Sequence, residues 1–228
     1  MGAEKIEMGR VWAVVPAFNE SRNIPSIVKK IKKYVQNVAV VDDGSNDSTC
    51  DAASGEGAVV LRHMINLGKG AALKTGCDYA VDNGAGFIVV LDADTQHDPD
   101  EIPSFLEKLK NYDIVFGYRK LSGDMPFIKR FGNWFISQAI GILYDIRLFD
   151  SQSGYRAFSR EAYQKIRWSV SDYSMESEMI AKAGRHRLKY AQIPIKTIYS
   201  NVSRGTTIID GVKIVLNMVW WRLFNNRE

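Results

Sequence analysis

Phe87-Ile88-Val89-Val90-Leu91 is an unbroken apolar, largely β-branched run that stops at Asp92-Ala93-Asp94. With no polar alternation, it predicts a strand buried on both faces. Such strands belong to parallel sheets covered by helices, and in open α/β sheets ligands collect beyond the carboxyl ends of the strands. Two carboxylates two residues apart there repel each other unless a cation lies between them. Oxygen donors of this kind suit Mg²⁺ or Mn²⁺, which keep waters and take further oxygens from a phosphate. Gln96 adds a neutral oxygen on the same loop and His97 a nitrogen. Asp-x-Asp is also an ordinary turn or capping pattern, so the surrounding chain decides its meaning.

The segments before it alternate in type. A strand is predicted over 11–15, stopped by Pro16, and followed by the loop Pro16-Ala17-Phe18-Asn19-Glu20. From Asn23, Ile24, Ile27, Val28, Ile31 and Val35 recur at helical spacing, with Lys29, Lys30, Lys32 and Lys33 on the wet face. A strand over 38–41 ends at Asp42-Asp43-Gly44-Ser45, and Asp47-Ser48-Thr49 can cap the next helix. A short third strand over 59–61 leads through Asn66-Leu67-Gly68-Lys69-Gly70 into a helix over 71–83. Glycines and a lysine before a helix suit a phosphate cradle, although the spacing is not that of a P-loop. A helix over 99–110 and a strand over 114–116 complete five strand–helix alternations. The pattern predicts an α/β fold with a mostly parallel sheet and right-handed crossovers.

The second half is less regular. Gly117-Tyr118-Arg119 closes the fifth strand, and 129–147 reads as an amphipathic helix with Lys129 and Arg130 at its start. Asp150-Ser151-Gln152-Ser153-Gly154-Tyr155-Arg156 is a polar loop. Glu176 and Glu178 enter a helical segment, a strand is expected over 189–193, and Arg204 lies in a basic stretch over 200–207. The chain thus divides into a tail (1–10), one domain (11–207) and an apolar helix (208–228) that packs on the domain, a partner or a membrane surface.

At 228 residues the chain can bury a sizeable core, and its net charge of +4 does not suggest nucleic-acid binding. Cys50 and Cys77 have no metal-ligand spacing and suit reduced thiols. Residues 1–10 lack the apolar segment of a signal peptide, and no apolar run reaches the ~20 residues needed to span a bilayer. The expected location is cytoplasmic, peripheral at the cytoplasmic face of a membrane.

Val14-Val15-Pro16-Ala17-Phe18-Asn19-Glu20, Val40-Val41-Asp42-Asp43-Gly44-Ser45, Asn66-Leu67-Gly68-Lys69-Gly70, Asp92-Ala93-Asp94-Thr95-Gln96-His97 and Gly117-Tyr118-Arg119 fall in order at strand ends. This ordered set resembles the inverting glycosyltransferases of family 2, which have the GT-A fold, from Val11 to about Thr207. Asp94 to Pro99 and Asp150 to Phe158 look most like the dolichyl- or polyprenyl-phosphate sugar synthases. The resemblance implies that Pro16, Ala17, Phe18, Glu20, Val41 and Asp43 hold the nucleotide, with Lys69, Asp92, Ala93, Arg119 and Arg204 also on the donor. It implies that Asp92, Asp94 and Gln96 bind Mg²⁺ or Mn²⁺. Asp150, Asp94 and Arg119 fall at catalytic positions, and Arg130 and Ser137 at positions that meet the acceptor phosphate.

The implied reaction moves mannose or glucose from GDP-mannose or UDP-glucose to dolichyl or polyprenyl phosphate, at a membrane surface or beside a membrane-protein partner. Two other readings stand beside it. One is a family 2 transferase with a sugar or small-molecule hydroxyl acceptor; the other is a non-catalytic nucleotide-sugar-binding partner. A nicotinamide-dependent enzyme fits the alternation but not the loops, because no glycine-rich turn follows the first strand.

Overall fold

A computed structural model of the chain describes residues 6–119, 127–171 and 174–196 and positions 218, 220 and 222; the side chains of 127–134 lie outside that set. Among the described residues seven strands form one sheet: β1 (Val11–Ala17), β2 (Asn37–Asp42), β3 (Val59–Arg62), β4 (Phe87–Val90), β5 (Ile114–Arg119), β6 (Arg156–Ser159) and β7 (Tyr190–Ile195), in the order β3-β2-β1-β4-β6-β5-β7. The β1–β2, β2–β3, β1–β4 and β5–β7 pairs are parallel. β6 runs antiparallel to both β4 and β5, with Arg156 in register with Val90 on one side and Phe116 on the other. The sheet is therefore mostly parallel, as the alternation predicts.

Helices cover both faces. They are α1 (Ile24–Ile31), α2 (Thr49–Gly55), α3 (Lys69–Asp82), α4 (Ile102–Leu109), α5 (Phe127–Tyr144), α6 (Arg160–Ile166) and α7 (Met175–Arg185). Successive strand residues point to opposite faces, so β1 sends Trp12 and Val14 into one core and Val11, Ala13 and Val15 into the other. The first core takes Leu73 and Cys77 of α3, Ile136 and Ile140 of α5 and Met179 and Ile180 of α7. The second takes Ile24, Ile27 and Val28 of α1 with Phe105 and Leu106 of α4. Residues 87–91 are buried throughout, as a strand covered on both sides requires.

Pro16 does not stop the first strand. β1 continues to Ala17, and Pro16 stays in register with Val41 of β2. Val14 faces β4, since its carbonyl accepts from Leu91 N–H, and Ala17 faces β2, since its carbonyl accepts from Asp43 N–H. Pro16 shares the parity of Val14, so its missing N–H falls where the β1–β4 ladder has already ended at Val90. Val35, expected on the first helix, is buried in the turn after it. α6 was not expected; the Ser159 side chain caps it by accepting from Ala162 N–H.

Met218 is helical and buried, and its carbonyl accepts from the Tyr144 hydroxyl at 2.6 Å. Most of the helix expected over 208–228, and Arg204, lie outside the described residues. Among the described residues no helix is long and apolar enough to cross a membrane.

Candidate active site

β4 hands the chain through buried Leu91 to Asp92, and the next five residues fold back on themselves. Thr95 takes the left-handed conformation (φ 64°), and Asp94 Oδ1 accepts from Gln96 N–H at 3.0 Å. His97 Nδ1 accepts from Asp92 N–H at 3.1 Å, with its ring 5.1 Å from that of Tyr155. Burial lowers the His97 pKa, which favours the neutral ring this hydrogen bond needs. The nitrogen that sequence offered as a metal donor therefore shapes the loop instead.

The Asp92 carboxylate meets Lys69 at the start of α3. Lys69 Nζ lies 2.8 Å from Asp92 Oδ1, 3.1 Å from Oδ2 and 3.1 Å from Glu176 Oε1 on α7. Burial opposes both charges, but each is outweighed by its partners: Asp92 is held below the ordinary carboxylate range and Lys69 above the ordinary lysine. Gly154 permits this closeness, because a Cβ there would come within 2.8 Å of Lys69 Nζ and 2.9 Å of Asp92 Oδ2. Asp94 moves the other way, raised by burial and by the Asp92 charge.

A second pair lies across β6. Arg119, at the end of β5, grips buried Asp150 with Nε 2.6 Å from Oδ2 and Nη2 3.0 Å from Oδ1; Gln152 N–H adds a bond at 3.0 Å. Burial works against the Asp150 charge, but Arg119 prevails and lowers its pKa. Between the two pairs stands Arg156, 2 % exposed, whose guanidinium donates to the carbonyls of Ser153, Ser151 and Glu176. Glu176, Asp150 and Asp92 all act electrostatically on it. Antiparallel β6 thus brings the carboxylates of both pairs around one buried cation. Ser137 of α5 is buried and donates to Ser151 Oγ at 3.1 Å. Arg130 lies on α5 with its side chain outside the described residues.

On the other flank, the first loop is stapled to the second. Asn19 N–H donates to Ser45 Oγ, Glu20 N–H to Thr49 Oγ1 and Ser21 N–H to Asp47 Oδ2. Asn19 is left-handed (φ 55°) to make this turn. Pro16 and Phe18 are half-buried beside it, whereas Ala17 and Val41 are core residues. Ala93, beyond β4, is likewise buried in the second core. Asp43 holds its own neighbourhood: it accepts from Leu67 N–H and Gly68 N–H and lies 2.7 Å from His63 Nδ1. The expected phosphate cradle is closed here, because Gly70 and Ala71 N–H both donate to Ser171 O and Trp168 Nε1 donates to Gly70 O. Lys69 accordingly faces carboxylates and not an open helix end.

Among the described residues no group of three or more His, Cys, Asp or Glu side chains is arranged to hold a metal ion. The donor chemistry nevertheless fits a hard divalent cation. Asp92 and Asp94 repel each other, as the raised Asp94 pKa records, and Gln96 supplies a neutral oxygen on the same loop.

The sequence profile described as glycosyl transferase family 2 matches residues 12–167. The chain belongs to that family. An uncharacterised protein of Methanocaldococcus jannaschii is 38% identical over 231 residues, spanning 96% of this chain and 95% of the relative. A UDP-N-acetylglucosamine–dolichyl-phosphate N-acetylglucosaminyltransferase of Methanococcus voltae is 30% identical, spanning 93% and 96%. Glucosyl-3-phosphoglycerate synthase from Mycobacterium tuberculosis, solved with Mn²⁺, UDP and glucosyl-3-phosphoglycerate, superposes with a TM-score of 0.70 at 21% identity, covering 93% of this chain and 79% of that one. That likeness establishes the GT-A fold. In this family 2 glycosyltransferase, sequence reading had assigned no role to Glu176, Arg156 or Gly154. Their contacts join residues far apart in the chain. The available signal was that Gly154 and Arg156 fall within Asp150 to Phe158, the stretch that carries the closer resemblance.

Proposed function

We propose that this glycosyltransferase moves a sugar from a nucleotide-sugar donor to a polyprenyl phosphate, with inversion at the anomeric carbon. The observation that carries the reading is the state of Asp150. A carboxylate held bidentate by arginine, with its pKa lowered, is a poor proton acceptor. A sugar hydroxyl needs a base; a lipid phosphate is already ionised and needs only to be positioned. Asp150 then fixes Arg119, whose guanidinium also suits phosphate oxygens. Phe149, 69 % exposed and next to Asp150 in the chain, offers apolar surface beside this side of the site. Arg130 and Ser137 are assigned to the acceptor phosphate, and Arg204 to the donor.

Asp92, Asp94 and Gln96 would hold Mg²⁺ or Mn²⁺, which when bound supplies Lewis-acid stabilisation of the departing nucleoside diphosphate. Lys69 limits repulsion around Asp92, and Pro16, Phe18, Glu20 and Asp43 shape the edge where base and ribose lie. The relative acting on dolichyl phosphate supports the acceptor class, and the solved UDP complex with Mn²⁺ supports the donor class. GDP-mannose and UDP-glucose are the favoured donors.

The test is a screen of GDP-mannose, UDP-glucose and UDP-N-acetylglucosamine against dolichyl phosphate, with and without Mn²⁺ or Mg²⁺. A metal-dependent lipid-linked sugar is expected, lost in Asp94→Ala. Nucleotide release without lipid product would move the assignment to a hydroxyl acceptor. Failure to bind any nucleotide sugar in the presence of Mn²⁺ would end the enzymatic reading.

A further inference from the structure

Glu176 has no part in the reaction as described, yet it is 5 % exposed and shares the Lys69 ammonium with Asp92. A carboxylate is buried at such a point only where its charge is needed or fully matched. Among the described residues the cations facing the cluster are Lys69 and Arg156, with the ion-paired Arg119 and Asp150 beside them cancelling each other. The carboxylates are Asp92, Asp94 and Glu176. With all three carboxylates ionised, the set keeps one net negative charge. Without Glu176 it would be neutral, and a larger share of the Lys69 charge would fall on Asp92.

We propose that Glu176 is a positioning residue that divides the Lys69 ammonium and so leaves Asp92 with charge for a divalent cation. Three features on separate elements converge on this arrangement. α7 is anchored at this point because the Glu176 carbonyl accepts from Arg156 Nη1 at 3.1 Å. α3 is anchored because Trp168 and Ser171 hold Gly70, one residue after Lys69. Gly154 closes over the contact with no side chain to separate the ions. Lys69 is therefore fixed midway between the two carboxylates, and its pull on Asp92 is set by Glu176. The inference rests on the proposal that Asp92 and Asp94 hold the metal.

The experiment is titration of the full-length protein with Mn²⁺ alone, followed by the paramagnetic resonance signal of the free ion. It compares the parent with Glu176→Gln, Glu176→Asp and the double variant Lys69→Met/Glu176→Gln. Glu176→Gln should bind Mn²⁺ about tenfold more weakly, the scale of one unit charge acting over a few ångströms in a partly screened site. Glu176→Asp should recover most of the loss. The double variant should also recover it, because removing the lysine restores the net charge. A purely structural Glu176 would give a double variant weaker than either single change, which overturns the proposal, as does an unchanged affinity in Glu176→Gln. Absence of Mn²⁺ binding by the parent protein would instead overturn the metal assignment itself. Circular dichroism of each variant separates altered binding from failure to fold.

Discussion

At the scale of single residues, the site is a set of charges whose strength depends on one another. The Arg119–Asp150 pair gives a pH prediction. Asp150 has a lower pKa folded than unfolded, so its contribution is complete above the ordinary carboxylate value and lost as pH falls through the folded one. Urea unfolding should show stability dropping as pH is lowered below about 4. Asp150→Asn should flatten that drop and cost on the order of 3 kcal/mol at neutral pH, because Arg119 loses a buried partner. Gly154→Ala tests the opposite side. Its methyl would press on Lys69 Nζ and Asp92 Oδ2, so turnover should fall at least tenfold (~1.4 kcal/mol) while the far-ultraviolet dichroism stays normal. Asp92 and Asp94 were legible in sequence because a buried strand that ends in two acids announces its own tip. Glu176 was not, because an isolated Glu looks the same whether it faces water or another ion, and Arg156 stood in a marked stretch whose burial only the fold reveals.

At the scale of elements, hydrophobic period located most helices and every strand except β6, and local contacts account for the other differences. β1 ran past Pro16 because the neighbouring ladder ended first, which no propensity reveals. α6 is two turns long, too short for a periodic signal, and depends on its Ser159 cap. Glycine marks the closest packing: a Cβ at Gly76 of α3 would press into Val14 of β1 and come within 2.9 Å of Val41 of β2. Gly76→Ala should therefore destabilise the protein by about 1–3 kcal/mol through overpacking, although alanine is the better helix former. A thermal melt of the variant distinguishes these opposed effects: a raised midpoint would mean that the sheet yields to the methyl group.

For the whole molecule, the sheet sets the loops after β1, β2 and β4 on one side and the Arg119–Asp150 pair beyond β5 on the other, with Arg156 between. The exposed apolar residues Phe135 and Ile142 lie seven apart on one face of α5, and Phe149 precedes Asp150. Flotation with vesicles containing anionic phospholipid should carry the protein upward, and Ile142→Ser/Phe149→Ser should reduce the floated fraction several-fold without changing the melting temperature. Equal flotation of both proteins would remove this surface from the membrane reading. The fold class was readable from alternation alone. The position of β6 was not, since four residues within a polar, irregular half carry no sign of which strands they will separate.

That insertion has a consequence for how the chain is made. Among the described residues β5 pairs only with β6 and β7, both of which follow it in the sequence, and β4 has an open edge until β6 arrives. A ribosome delivering the chain from its amino terminus presents β1 to β4 as a sheet that can close early. It presents β5 as a strand with nothing to join. Residues 156–159 bridge the gap, and with them Arg156 enters the interior. The Lys69–Asp92 side and the Arg119–Asp150 side are thus united late in synthesis, when β6 joins β4 to β5 and before β7 adds the last edge.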